Sequence, residues 1–122
     1  MPVAGLPRKK YPAEHVPEQA CQPYHLITAI GCLGLSKSRA EYKRAFSHCA
    51  DNLISGGVFF GVDWIRSPAL IEKEQHDNSY LGIDLTRSCA TQKELDTLYL
   101  QRCSILHDPA YDKLIIWIFQ KP

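Results

Sequence analysis

The fold is decided by the apolar run Val58-Phe59-Phe60-Gly61-Val62, which has the composition of a strand buried on both faces of a sheet. Upstream, Ser38-Arg39-Ala40-Glu41 has the form of a capping box, with a hydroxyl at the helix N-cap and a carboxylate three residues later. Apolar residues then follow at helical spacing: Tyr42, Phe46, Cys49, Ala50 and Leu53. We therefore predict a helix that begins after Ser38 and ends at Gly56-Gly57, because glycine accepts the left-handed backbone of a helix end.

A second apolar run, Tyr24 to Ile30, lies before this helix and is partly β-branched. Its length and composition are typical of another buried strand. The three elements form a strand–helix–strand unit, in which the two strands are expected to be parallel and the crossover right-handed.

The polar stretch from Asp63 to Ser88 predicts a loop with a short helix near Pro68 to Glu74. A second capping box at Thr91 to Glu94 predicts a helix that continues to Arg102. The last elements are a candidate strand from Cys103 to His107, a turn from Asp108 to Asp112 and a strong strand from Leu114 to Phe119. A short turn joins the last two strands, so we expect an antiparallel pair within a mixed α/β sheet.

Composition excludes several classes of protein. The 122 residues are 45% hydrophobic and 22% charged with a net charge of +1, which is globular and gives no strong field for nucleic acid or a membrane. The five cysteines form no C-x-x-C pair, so neither a zinc site nor a disulfide framework is expected. With no signal peptide or membrane-length apolar run evident, we expect a cytoplasmic protein. Residues 1–23 contain five of the eight prolines and are interpreted as an arm or a disordered tail.

Local sequence adds a family resemblance. The segment Tyr24 to Leu33 resembles the fourth strand and following loop of class I S-adenosylmethionine-dependent methyltransferases, and Tyr42 to Phe46 resembles their next helix. The segment Asn52 to Phe60 is similar to their turn into strand five, with Ser55 where the family often has proline. The resemblance implies that residues 24–122 form the C-terminal half of a methyltransferase domain, a partial Rossmann-like fold with strands four to seven.

The segment Val62 to Ser67 resembles the nicotinamide, phenylethanolamine and thioether N-methyltransferases, which act on small amines or pyridines. The resemblance implies a catalytic role for Asp63 and places the acceptor among Trp64, Ser67, Ser79 and Tyr80. It implies that the wall of the S-adenosylmethionine cleft lies at Ile30, Gly31 and Cys32.

Each role has a simpler alternative. Asp63 could be a solvated acid that caps the next helix, and the two serines could merely be exposed. Trp64 and Tyr80 could pack under a loop, and Cys32 could be a core thiol. The histidine–aspartate pairs have no third ligand at metal-binding spacing, so no metal site is expected.

The chain contains no G-x-G-x-x-G turn for the cofactor. The resemblance therefore implies an incomplete family member, truncated or split, whose strand from Tyr24 to Ile30 is an apolar edge. The expected partners are a small amine and either an N-terminal half-domain or a second copy. The alternative is a non-catalytic interaction module that pairs through this edge.

Overall fold

The computed structural model describes residues 23–122, so the expected arm lies almost entirely outside the described residues. The elements in chain order are β1 (Tyr24–Ile30), a 3-10 turn (Leu33–Leu35), α1 (Arg39–Asp51), β2 (Leu53–Arg66), α2 (Pro68–Glu74), α3 (Ile83–Gln92), β3 (Asp96–Ser104) and β4 (Tyr111–Gln120).

The four strands form one mixed sheet in the order β1-β2-β4-β3. β1 is parallel to β2, and their pairing ends where Ile30 lies beside Val62. β4 is antiparallel to both β2 and β3. The predicted mixed α/β sheet with a terminal antiparallel pair is confirmed.

The first helix begins as predicted but ends earlier. Ser38 Oγ accepts the Glu41 amide, whereas the Glu41 carboxylate accepts the Lys37 amide rather than that of Ser38. The helix ends at Asn52, so the prediction that Gly56-Gly57 stops it was wrong. Both glycines lie in β2, where the pairing register with β1 shifts, and Gly56 takes a φ of +82° there.

The prediction of a helix from Thr91 to Arg102 was also wrong. α3 lies earlier, and its C-cap is Lys93, followed by Glu94 at a φ of +56°. Residues from Asp96 onward form β3 instead and pair with β4 along their length. The apolar residues of this segment recur at helical spacing, but hydrogen bonding of its backbone to β4 determines that it is a strand. The short helix at Pro68–Glu74 is confirmed.

The core lies between the sheet and the two longer helices. Phe46 of α1 is fully buried, with its ring centroid 5.1 Å from that of Phe59 and 5.8 Å from that of Phe119. Trp117 packs edge-on against Phe59 at 5.9 Å. Alternate side chains of β2 and β4 point into this cluster, as the two-residue period of a strand requires.

The opposite face and the outer edge of β1 are less covered. Leu26 and Ile30 are 58% and 53% exposed, while Ile27 and Ala29 between them are buried. Within residues 23–122, no helix combines the length and apolarity needed to cross a membrane.

Candidate functional site

The candidate site lies at the carboxyl ends of the two parallel strands, where α/β folds place ligand groups. After β1 the chain turns at Gly31, which has a φ of +69° and whose amide donates to the Val62 carbonyl at 2.8 Å. The loop Gly31–Ser36 then lies against the C-terminal part of β2, at Asp63 and Trp64. Its conformation determines what a ligand at this end of the sheet would meet.

Asp63 lies beneath this loop and is only 1% exposed. Its Oδ1 accepts the Gly34 amide at 2.7 Å, while Oδ2 is buried with no hydrogen-bond partner. The alternative of a solvated acid capping the next helix is therefore wrong, since Ser67 caps α2. Contact between Asp63 and an acceptor would require the loop to move, so its catalytic role stays a prediction.

Burial raises the pKa of the Asp63 carboxyl to about 7, against the opposing effects of the Gly34 amide and the Tyr42 hydroxyl. The Tyr42 hydroxyl itself shares a hydrogen bond of 3.0 Å with Thr86 Oγ1. Burial and then the Asp63 charge raise the pKa of Tyr80 to about 12. Asp63 can therefore gain or lose a proton near neutral pH while both tyrosines stay neutral.

Asn78 is a buried polar residue of the site that was not predicted from the sequence. It is 2% exposed, its Oδ1 accepts the Arg66 amide at 2.9 Å, and its Nδ2 donates to the carbonyls of Gly34 and Trp64 at 3.1 and 2.9 Å. Nothing in its polar surroundings marks it in the sequence, because its partners lie far away along the chain.

Tyr80 provides another attachment for the loop, since its hydroxyl donates to the Ser36 carbonyl. We call Asp63, Asn78 and Tyr80 the loop clamp. Asp63 lies in β2, and Asn78 and Tyr80 lie in the segment between α2 and α3. Together they bind backbone atoms of Gly34 and Ser36.

The two predicted acceptor serines are not members of the loop clamp, although Ser79 lies between Asn78 and Tyr80 in the chain. Ser67 is 6% exposed, and its hydroxyl accepts the Leu70 amide and donates to the Pro109 carbonyl at 2.7 Å. Ser79 is exposed, and its amide donates to Asp77 Oδ1 at 2.8 Å. The Ser67 hydroxyl is thus engaged within the fold, and both acceptor roles remain predictions.

Trp64 and Gly31, predicted on the acceptor and cofactor sides, are brought together. A Cβ added at Gly31 would lie 3.4 Å from Cζ3 of Trp64. Both residues line a cavity of about 50 Å³ that also includes Leu35, Arg66 and Tyr111. Arg66 is held there by Glu74, with its Nη1 2.8 Å from Oε1.

The other two predicted cofactor residues flank Gly31. Ile30 is 53% exposed, and the Cys32 thiol donates to the Ile30 carbonyl at 3.5 Å. A larger open cleft of about 590 Å³ lies beside Tyr80, between Arg39 and Arg102, but none of the other predicted site residues lines it. In the part of the chain that the structure describes, no three histidine, cysteine or acidic side chains are grouped to hold a metal ion.

No protein-family model and no curated protein matches this chain. Solved structures do match it. The N-methyltransferase NodS from Bradyrhizobium japonicum WM9, solved with S-adenosyl-L-homocysteine, aligns with a TM-score of 0.60 and 15% identity over 83% of this chain and 47% of its own.

Two further solved structures also align with most of this chain at low sequence identity. A SAM-dependent methyltransferase from Methanosarcina mazei aligns with a TM-score of 0.61 and 10% identity over 82% of this chain and 60% of its own. An O-methyltransferase family 2 protein from Planctomyces limnophilus DSM 3776, in complex with apigenin, aligns with a TM-score of 0.57 and 11% identity. The alignment covers 83% of this chain and 32% of that protein. The chain thus spans about a third to three-fifths of these proteins, and over that part it has the Rossmann-like fold of SAM-dependent methyltransferases.

Proposed function

We propose that this chain forms the acceptor-side half of an S-adenosylmethionine-dependent methyltransferase that methylates a nitrogen of a small amine or pyridine-type compound. The observation that carries the proposal is the loop Gly31–Ser36, which the loop clamp holds across the carboxyl ends of β1 and β2. The fold shared with methyltransferases supports the reaction class. Nitrogen as the acceptor atom rests on the sequence resemblance at Val62 to Ser67.

In the proposed reaction the acceptor lone pair attacks the sulfonium methyl group in line with the breaking sulfur–carbon bond. A new nitrogen–carbon bond forms, and S-adenosylhomocysteine leaves with the electron pair of the broken bond. A protonated amine first loses a proton to solvent, because the attack needs a free lone pair. A neutral amine with an N–H bond loses a proton to solvent after the transfer, whereas a pyridine nitrogen loses none and becomes a cation. Because such a step depends mainly on alignment, a well-held loop beside the donor matters more than a strong acid or base.

The proposed roles follow the positions of the side chains. Ile30, Gly31 and Cys32 wall the cofactor cleft, and the exposed part of Ile30 contacts the cofactor directly. Trp64 offers a flat aromatic surface to the acceptor next to Gly31, suited to a planar or cationic group.

Calorimetry with S-adenosylhomocysteine on the 122-residue chain tests the proposal. We expect binding tighter than about 1 mM. Ile30→Glu places a charge in the cleft wall and should weaken binding about tenfold or more, corresponding to roughly 1.4 kcal/mol. Leu106→Glu, at a leucine that is 77% exposed and lies in another loop, is the matched control and should bind as the parent does.

Two outcomes contradict the proposal. One is no detectable heat for the chain alone and none after adding the N-terminal half of a methyltransferase that supplies a glycine turn. The other is equal binding by the parent chain and Ile30→Glu, since the cofactor would then lie elsewhere.

A second candidate function is favoured by the exposed leucine and isoleucine of β1. Among the strands of residues 23–122, β1 pairs only with β2, so its other edge is open to a further strand. Leu26 and Ile30, on the sheet face opposite the core, are 58% and 53% exposed. Such an edge can be covered by β1 of a second copy, related by a two-fold axis. In that case the chain is an interaction module that self-associates.

Light scattering during size-exclusion chromatography separates the two candidates. Self-association through β1 predicts a dimer that Leu26→Lys converts to a monomer, because the substitution places a charge at the contact. Leu106→Lys should leave the dimer intact. A parent chain that stays monomeric at all concentrations contradicts this second function.

A further inference from the structure

The loop clamp grips one residue, Gly34, from both sides. Asp63 accepts its amide at 2.7 Å, and Asn78 donates to its carbonyl at 3.1 Å. A Cβ at position 34 would lie 3.0 Å from Asp63 Oδ1, closer than most side chains tolerate, so a glycine suits this approach. The position of the loop is therefore determined by contacts to its backbone.

The hydrogen bonds of Asn78 do not depend on pH, because its side-chain amide does not titrate. Both polar atoms of this amide have partners. Its oxygen accepts the Arg66 amide, and its nitrogen donates to Gly34 and Trp64, which leaves the side-chain amide with one possible orientation. Asn78 thus ties the loop to the end of β2 at any protonation state of its neighbours.

The Asp63 contact is different, because its strength depends on a proton. A carboxylate accepts an amide hydrogen bond more strongly than a neutral acid does. Burying its charge beneath the loop costs more than this gain, because the net effect of the surroundings is to raise the pKa of Asp63. One oxygen of Asp63 is bonded and the other is buried without a partner, so the carboxyl has a place for a proton.

The groups that face Asp63 do not supply a compensating charge. α1 contributes Tyr42, whose hydroxyl is bonded to Thr86 of α3, and the loop clamp contributes Tyr80. Cys89 of α3 acts electrostatically on Tyr42, whose pKa it helps to raise. Within residues 23–122 no lysine, arginine or histidine forms an ion pair with this carboxyl.

We propose that Asp63 and Asn78 are positioning residues for the proposed cofactor cleft, Asn78 holding the loop Gly31–Ser36 permanently and Asp63 holding it through Gly34 most firmly when its carboxyl is protonated. The loop is docked when Oδ2 of Asp63 carries a proton and Oδ1 accepts the Gly34 amide. It is loosened when the carboxyl ionises, because the charge is stabilised by contact with water. This inference rests on the proposed function for the meaning of the loop, but the switch itself requires no ligand.

Nuclear magnetic resonance of the ¹⁵N-labelled 122-residue protein tests the switch directly. The Gly34 amide proton shift should follow a single titration between pH 5.5 and 8.5, because its acceptor changes charge. Asp63→Asn keeps an oxygen for this amide but cannot ionise, so its Gly34 shift should stay constant. Asp77→Asn, at an exposed acid that bonds only Ser79, should leave the Gly34 titration unchanged.

Amide exchange separates the two positioning residues. Asn78→Ala should speed amide exchange at Gly34 about tenfold or more at every pH. In Asp63→Asn, exchange at Gly34 should vary with pH only as the intrinsic exchange rate of an amide does. A Gly34 shift that is constant with pH in the parent chain, or that titrates equally in Asp63→Asn, overturns the inference. The parent titration decides the question even if a variant fails to fold.

The cofactor readout keeps the two proposals distinguishable. If S-adenosylhomocysteine binds, its affinity should fall as pH rises along the Gly34 titration in the parent and be flat in Asp63→Asn. A Gly34 titration without any cofactor binding would leave the switch standing and count against the proposed function alone.

Discussion

Replacing Gly61 with alanine is expected to destabilise the protein more than any other single methyl addition to the sheet. An added Cβ would lie 1.9 Å from Cζ2 and 2.2 Å from Cε2 of Trp117, which lies directly opposite in β4. Trp117 is fully buried beside Phe46 and Phe59, so the indole cannot swing aside. Overpacking ordinarily costs about 1–3 kcal/mol, and this overlap should exceed about 4 kcal/mol.

Urea denaturation followed by circular dichroism measures this loss. Gly82→Ala is the matched control, because that glycine has open space around it and extended backbone at a φ of −171°. The control should change the free energy of unfolding by no more than about 0.5 kcal/mol. Trp117→Phe in the Gly61→Ala background should restore part of the loss, since it removes the overlapping ring. A Gly61→Ala protein as stable as the control would contradict this account of the sheet.

Replacing Asp63 with asparagine is expected to change how stability depends on pH. The folded-state pKa of about 7 lies above the ordinary value of 3.8, so the folded chain binds an extra proton between these values. The contribution of Asp63 to the free energy of unfolding is therefore complete below about pH 4 and is lost as pH rises through 7. A rise in the pKa from 3.8 to about 7 limits this contribution to the free energy of unfolding to at most about 4 kcal/mol.

The measurement compares urea denaturation of the parent chain and Asp63→Asn at pH 5 and pH 8. The variant should gain stability relative to the parent at pH 8, because it has no buried charge to accommodate. Asp112→Asn, at an exposed acid of β4, should show no such gain. An identical difference between Asp63→Asn and the parent at both pH values would show that Asp63 ionises as freely as in the unfolded chain.

The sequence predicted the elements whose signals were both local and strong. β1 and β4 are apolar runs of ordinary strand length, and Ser38 marks the start of α1 with a hydroxyl that the structure confirms as the cap. β3 was missed because its apolar residues recur at helical spacing while most of its side chains are exposed. Only pairing with β4, which is a contact with a later part of the chain, makes it a strand.

The candidate site also depends on contacts between distant parts of the chain, which local sequence does not reveal. The prediction that the strand ends at Val62 and that a loop begins at Asp63 was wrong, since β2 continues to Arg66 and Asp63 pairs with Ile115. The burial of Asp63 could not be predicted either, because it depends on Gly34, which lies 29 positions earlier. Asn78 could not be found at all, because an asparagine in a polar stretch looks like any surface residue. Its importance arises from three backbone groups that only the folded chain assembles.

The strand order also constrains how the protein can be made in the cell. β4 lies between β2 and β3, although it is the last strand in the chain. Until residues 111–120 have left the ribosome, β2 and β3 have no strand to join them, and Phe46 and Phe59 lack the aromatic partners Trp117 and Phe119. The nascent chain therefore holds an incomplete sheet until these residues emerge, and β4 enters at the centre of the sheet and not at its edge.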